Sequence, residues 1–133
     1  MIEGGCNCGA VRYRIEGEPM VVAQCHCHNC QRQSGSAFSV NLLVKVTNLT
    51  TSGDLTTYVD KDTMSGAPNL RKFCGVCGSP ILCEFSNGSG MVIVKAGTLD
   101  NPAAFPPSIS VWTSRILPWV QLAEGQHTFE RNA

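Results

Sequence analysis

Three cysteines and two histidines fall within six consecutive positions, Cys25 to Cys30, in the stretch "AQCHCHNCQRQSG". Two further clusters stand apart from it: "GGCNCGAV" with Cys6 and Cys8, and "FCGVCGSP" with Cys74 and Cys77. The eighth cysteine, Cys83, is alone in the apolar run "ILCEF". Thiols grouped this tightly restrict the fold more than any other feature, because each group must either be oxidised or be gathered around an ion. The N-terminus "MIEGGCNCGA" shows no charged segment leading into an apolar one, so no export signal is expected and the chain is placed in the cytoplasm. A reducing compartment disfavours disulfides, and clustered thiols there bind metal.

Spacing and number then suggest how the metal is shared. The two-residue gap of Cys74 and Cys77 lets a chain turn back so that both sulfurs meet one ion. Gly75 and Gly78 permit the tight turn and leave backbone N–H groups free to donate to sulfur. Two closed tetrahedral zinc sites would need about eight protein ligands, and the three clusters hold seven thiols. The simplest division joins the doublets, Cys6, Cys8, Cys74 and Cys77, in a closed site and leaves Cys25, Cys27 and Cys30 around a second ion with a free position. Two other readings stay open: an eighth ligand from Cys83, His26 or His28, which would close both sites, or one zinc with spare thiols. Cys83 is read as a buried apolar thiol rather than a ligand.

The rest of the chain reads as mainly β. In "FSVNLLVKV", Phe38, Val40, Leu42, Val44 and Val46 share one face. The runs 11 to 16, 55 to 59, 80 to 85, 90 to 97 and 108 to 112 have the same character, separated by Gly, Pro, Asn and Asp. A short helical turn is expected through "HNCQRQSG", ended by Gly35, and a loop over 100 to 107. With 133 residues, 43 % of them hydrophobic, one domain over 1–133 is expected, its core spanning about residues 2–125. Ten basic and ten acidic side chains cancel, so no global field favours nucleic acid or a membrane surface. No apolar run approaches the roughly 20 residues of a membrane helix.

Four segments in order, "GGCNCGAVRYRIEG", "CHCHNCQRQSGSAFSVNLLV", "FCGVCGSPI" and "SRILPWVQL", resemble the glutathione-dependent formaldehyde-activating family, also called centromere-protein-V-like, over almost the whole chain. The resemblance implies a single-domain β-tent, small antiparallel sheets pinned by zinc. It implies two zinc ions per chain, a structural one at Cys6, Cys8, Cys74 and Cys77 and a catalytic-type one at Cys25, Cys27 and Cys30. The activity it implies is formation of S-hydroxymethylglutathione from formaldehyde and glutathione, a carbon–sulfur lyase reaction when written in reverse.

A zinc held by three thiolates carries a formal charge of about −1, two positive against three negative, and suits a soft fourth ligand such as the thiolate of glutathione. His26 or His28 is then the candidate for proton exchange with the aldehyde oxygen. Arg32 and Arg115 are candidates for the carboxylates of glutathione. Gly35 and Ser36 would allow close backbone approach, and Trp119 would sit at the rim. Two other function classes compete: a non-enzymatic scaffold with two structural metals, and a redox sensor that loses metal on oxidation.

Overall fold

The computed structural model describes residues 1–133. Eleven strands, numbered along the chain, form two sheets. The small sheet has the order β1 (Ile2–Gly5), β2 (Arg12–Ile15), β5 (Leu49–Ser52) and is antiparallel. The large sheet runs β11 (His127–Thr128), β10 (Ile109–Val111), β3 (Val21–Cys25), β4 (Ser39–Lys45), β9 (Met91–Lys95), β8 (Pro80–Phe85), β7 (Asn69–Cys74), β6 (Leu55–Asp60). It is antiparallel from β3 to β6, while β10 pairs in parallel with both β3 and β11. The one α-helix, α1 (His28–Ser34), follows β3 directly.

Successive strand residues point to opposite faces, and that alternation divides the large sheet by function. Leu42 and Val44 of β4, Val92 and Val94 of β9 and Leu82 of β8 join a buried apolar cluster with Val11, Tyr13 and Ile15 around the small sheet. Ile2 and Leu49 pack against it. Tyr13 is 1 % exposed, and its hydroxyl is satisfied by Thr98 Oγ1 at 2.7 Å. The intervening residues face the other way. Ala23 and Cys25 of β3, Asn41 of β4, Lys95 of β9, Cys83 of β8 and Arg71 of β7 all line one cavity. Register sets these residues in rows: Ala23 lies opposite Asn41, and Asn41 opposite Lys95. Arg71 lies opposite Cys83.

The mainly β reading is what the structure shows, and each of the six runs expected to be extended contains a strand. The short helix is present, with Gly35 ending it in the left-handed region at φ 64°. Strands β1, β3, β5, β7 and β11 lie outside the expected runs. The glycines of β1, "IEGG", weaken its extended signature, yet they are needed: a Cβ on Gly4 would collide with the Thr98 carbonyl and the Tyr13 hydroxyl. Charges in "NLRKFC" mask β7. No helix is long and apolar enough to cross a membrane.

Candidate metal centres and the cavity beside them

The first cysteine group is built by two facing turns. After β1 the chain reverses at Cys6, whose N–H donates to the Val11 carbonyl at 3.0 Å, while Gly9 N–H returns to the Cys6 carbonyl at 3.2 Å. After β7 the chain reverses again: Gly78 N–H reaches the Cys74 carbonyl at 2.8 Å and Cys74 N–H the Ser79 carbonyl at 3.0 Å. Gly78 needs its missing side chain, since its φ is +81°, a region costly for residues with a Cβ. The turns are joined where Asn7 N–H donates to Ser79 Oγ at 3.1 Å. Cys6 Sγ then lies 3.6 Å from Cys8 Sγ, and Cys8 Sγ lies 3.8 Å from Cys74 Sγ. All four sulfurs, with Cys77, lie within 4.8 Å of one another, and none is in a disulfide. Backbone N–H of Val11 donates to Cys6 Sγ at 3.2 Å. Ser79, through its hydroxyl and then its backbone, holds the Cys77 thiol down to about 5. Cys77 is thus favoured as thiolate, the form a metal takes, whereas Cys8 is pushed up to about 11, the Ala10 backbone hydrogen bond that lowers it being outweighed by Cys6 and the other neighbouring thiols.

The second group comes from one short segment. Cys25 ends β3, Cys27 caps α1, and Cys30 lies one turn into the helix. The Cys27 sulfur accepts the Cys30 N–H at 3.2 Å, as a capping side chain does. The three sulfurs again lie within 4.8 Å of one another. They share charge as a unit: Cys25 and then Cys27 hold the Cys30 thiol down to about 2, while Cys27 and Cys30 push Cys25 up. Either group could hold a metal ion. The four-thiol group could enclose an ion with protein alone; the three-thiol group leaves one side to the cavity.

That cavity has a volume of about 540 Å³ and is walled by Cys25, Cys27 and Cys30 on one side. Lys95 enters from the sheet floor, with its Nζ donating to Asn41 Oδ1 at 3.1 Å. Asn41 Nδ2 in turn donates to Ser39 Oγ at 3.0 Å. Burial lowers the Lys95 ammonium, and the negative charge of Cys30 opposes that shift. Arg71, also buried, pairs with Asp60 at 2.8 Å. Asp60 further accepts the Asp62 N–H at 3.1 Å, tying down the start of the 62–65 stretch that forms the outer wall. On the same wall, Trp112 Nε1 donates to Asn132 Oδ1 at 2.8 Å. Trp112 has the left-handed φ of 57°, the one non-glycine residue to do so.

The Arg71–Asp60 pair gives a stability prediction. Their side chains are 7 % and 9 % exposed, so removing one leaves a buried charge with no opposite. Asp60→Ala is expected to cost about 3–5 kcal/mol, read as a lower midpoint in urea unfolding. A midpoint equal to that of the parent chain would show that the pair is solvated.

The expected site residues are divided by this arrangement. His28 and Arg115 line the cavity; His26 and Arg32 do not. His26 is fully buried, its ring centroid 5.3 Å from that of Phe38, with neither ring nitrogen bonded. Burial lowers its proton affinity. Arg32 lies across α1 in a second, open groove of about 610 Å³ with Ser36, Leu117 and Trp119, which meets the cavity at His28. The polar groups Ser39, Asn41 and Lys95, and the Arg71–Asp60 pair, were not singled out from sequence. Their signal was slight: polar residues alternating with apolar ones in strands look like a solvent-facing side.

Comparison with known proteins gives a consistent picture. The family model described as glutathione-dependent formaldehyde-activating enzyme matches residues 1–115. A Halomonas elongata protein, named provisionally as such an enzyme, is 26 % identical over 127 residues, which is 92 % of this chain and 81 % of that one. The crystal structure of a Rhodobacter sphaeroides protein, a structural-genomics target, has a TM-score of 0.57 at 18 % identity, covering 96 % of this chain and 98 % of that one. That structure shares the fold.

Proposed function

Because this chain belongs to the glutathione-dependent formaldehyde-activating enzyme family, we propose that its two cysteine groups hold zinc and that the cavity joins a small thiol to an aldehyde. The observation that carries this reading is the unequal division of thiols: four enclose one centre, while three open onto the cavity. Zinc–sulfur bonds of about 2.3 Å in a tetrahedron set sulfurs about 3.8 Å apart. The 3.6 and 3.8 Å separations in the first group suit that ion.

Cys25, Cys27 and Cys30 would hold the zinc, which would supply a Lewis acid favouring the thiolate form of a substrate thiol. The chain's own residues do the rest. In the addition, the thiolate sulfur bonds to the formaldehyde carbon, the carbonyl π pair moves to oxygen, and a proton arrives there. Read backwards, the same step is carbon–sulfur bond cleavage, the lyase direction. Of the two histidines, His28 reaches the cavity, so the reading gives proton exchange to His28. Arg115 lines the cavity and Arg32 the adjoining groove, so the reading gives each arginine a different carboxylate of glutathione.

Titration calorimetry of the zinc-loaded chain tests the thiol. Glutathione is expected to bind at least about tenfold more tightly than its S-methyl derivative, which cannot form a thiolate, a difference of about 1.4 kcal/mol. Equal affinity would contradict sulfur coordination. Absence of binding by either, with four protein ligands found on both metals, would favour the scaffold reading.

A further inference from the structure

Lys95 carries a buried charge with no matching partner. A lysine that is 7 % exposed is unusual unless paired, and the usual partner is a carboxylate. The four ion pairs of the structure are Arg12–Asp100, Arg14–Glu3, Arg71–Asp60 and Lys72–Glu84; none includes Lys95. An ammonium has three N–H donors, and the one acceptor at hydrogen-bond distance is Asn41 Oδ1, 3.1 Å away. The remaining donors stand in the cavity that also receives Cys25, Cys27 and Cys30.

The side chain is also aimed. Asn41 lies opposite Lys95 in the β4–β9 ladder, and Ser39, two residues earlier, lies opposite Cys25 in the β3–β4 ladder. Ser39 Oγ fixes the Asn41 amide at 3.0 Å, and Asn41 fixes Lys95. Lys95 and Cys25 are thus set on the same face of three adjacent strands, a placement more rigid than a loop could give, and Cys27 and Cys30 join them in the cavity from the start of α1. Arg71, the neighbouring cation, is already committed to Asp60.

We infer that Lys95, oriented by Asn41, is a catalytic residue that receives the oxygen of the substrate beside the three-thiol centre, the carbonyl oxygen of a small aldehyde or the oxygen of its thiol adduct. The inference rests on the thiol–aldehyde reading of the cavity. In the addition, the sulfur–carbon bond forms as the carbonyl π pair moves to oxygen. Lys95 donates hydrogen bonds to that developing oxyanion and keeps its own proton; the proton that neutralises the oxygen comes by way of His28 or solvent. Donors fixed before the reaction favour charge that develops during it. The shared cavity sets the substrate class: a compound with sulfur and oxygen on the same carbon presents one atom to the thiol group and the other to the ammonium.

Two stable ligands separate this role from simple charge balance: thioacetate, with oxygen and sulfur on one carbon, and ethanethiol, without the oxygen. A lysine that only offsets the charge of the centre would serve both alike. The ratio of their affinities is measured by calorimetry on the zinc-loaded parent chain and on Lys95→Met, where metal content and thermal melting confirm an intact protein. The preference for thioacetate is expected to fall by about tenfold or more in Lys95→Met; an unchanged ratio overturns the inference. Should Lys95→Met not fold, Asn41→Ala carries the test, with a fall of about threefold or more expected and an unchanged ratio again overturning it. With glutathione and formaldehyde, kcat in Lys95→Met should drop about 100-fold or more while glutathione affinity stays within about threefold. A parent chain with no turnover would contradict the proposed reaction, and the affinity ratio would still decide the role of Lys95 independently.

Discussion

Cys74→Ser is expected to give a chain that does not fold. Cys8 and Cys74 are separated by 66 positions and their sulfurs by 3.8 Å. The ion proposed there ties the turn leaving β1, in the small sheet, to the turn leaving β7, in the large one. Structural zinc contributes roughly 10–16 kcal/mol in small domains, against a total stability of about 5–15 kcal/mol for an ordinary domain. Little else joins the two turns directly; the Asn7–Ser79 hydrogen bond is worth about 1 kcal/mol. The expected result is insoluble protein, or soluble protein with no cooperative melt in circular dichroism. A Cys74→Ser chain melting cooperatively within a few degrees of the parent would remove the structural role from this group.

Cys27→Ser should behave in the opposite way: fold retained, one of two metal equivalents lost, and glutathione binding abolished. Cys25, Cys27 and Cys30 are close in sequence, so an ion there closes only a short loop, and loop-closure entropy saved by the metal is correspondingly small. The helix also loses little. Cys27 caps α1 by accepting the Cys30 N–H, and serine is itself a favourable capping residue. Metal analysis beside a thermal melt checks both halves. Loss of both metals together, or loss of the fold, would mean that the two centres are not independent.

The cysteine clusters were legible in the sequence because residue type and spacing are local properties, and the thiol count suggested which clusters meet, as Cys6 and Cys8 do with Cys74 and Cys77. The core was legible for a similar reason: alternation put Leu42 and Val44 on one face, and both are buried. What alternation does not encode is which body covers the opposite face. Ser39 and Asn41 occupy the positions that would be solvated on an open sheet, but here they are 4 % and 6 % exposed, beneath the cysteine segment and the outer wall of the cavity. Lys95, at the end of "MVIVK", had the look of a charged strand terminus. His26 shows the same limit from the other side. It sits between Cys25 and Cys27, and successive residues of an extended segment point in opposite directions. Two neighbours that converge on one centre therefore send His26 away from it, against Phe38. The parallel pairing of β10 depends on a partner far along the chain, and three residues of strand carry no sign of it.

Cadmium-113 NMR of the cadmium-loaded chain tests the central claim, that the second centre has three protein thiolates and a position for a substrate thiol. Two resonances are expected, one from each cysteine group. Adding glutathione should move the resonance of the Cys25, Cys27 and Cys30 centre and leave that of the Cys6, Cys8, Cys74 and Cys77 centre in place, while S-methylglutathione moves neither. Two resonances both characteristic of four thiolates before any thiol is added, and both unmoved by glutathione, would contradict the account.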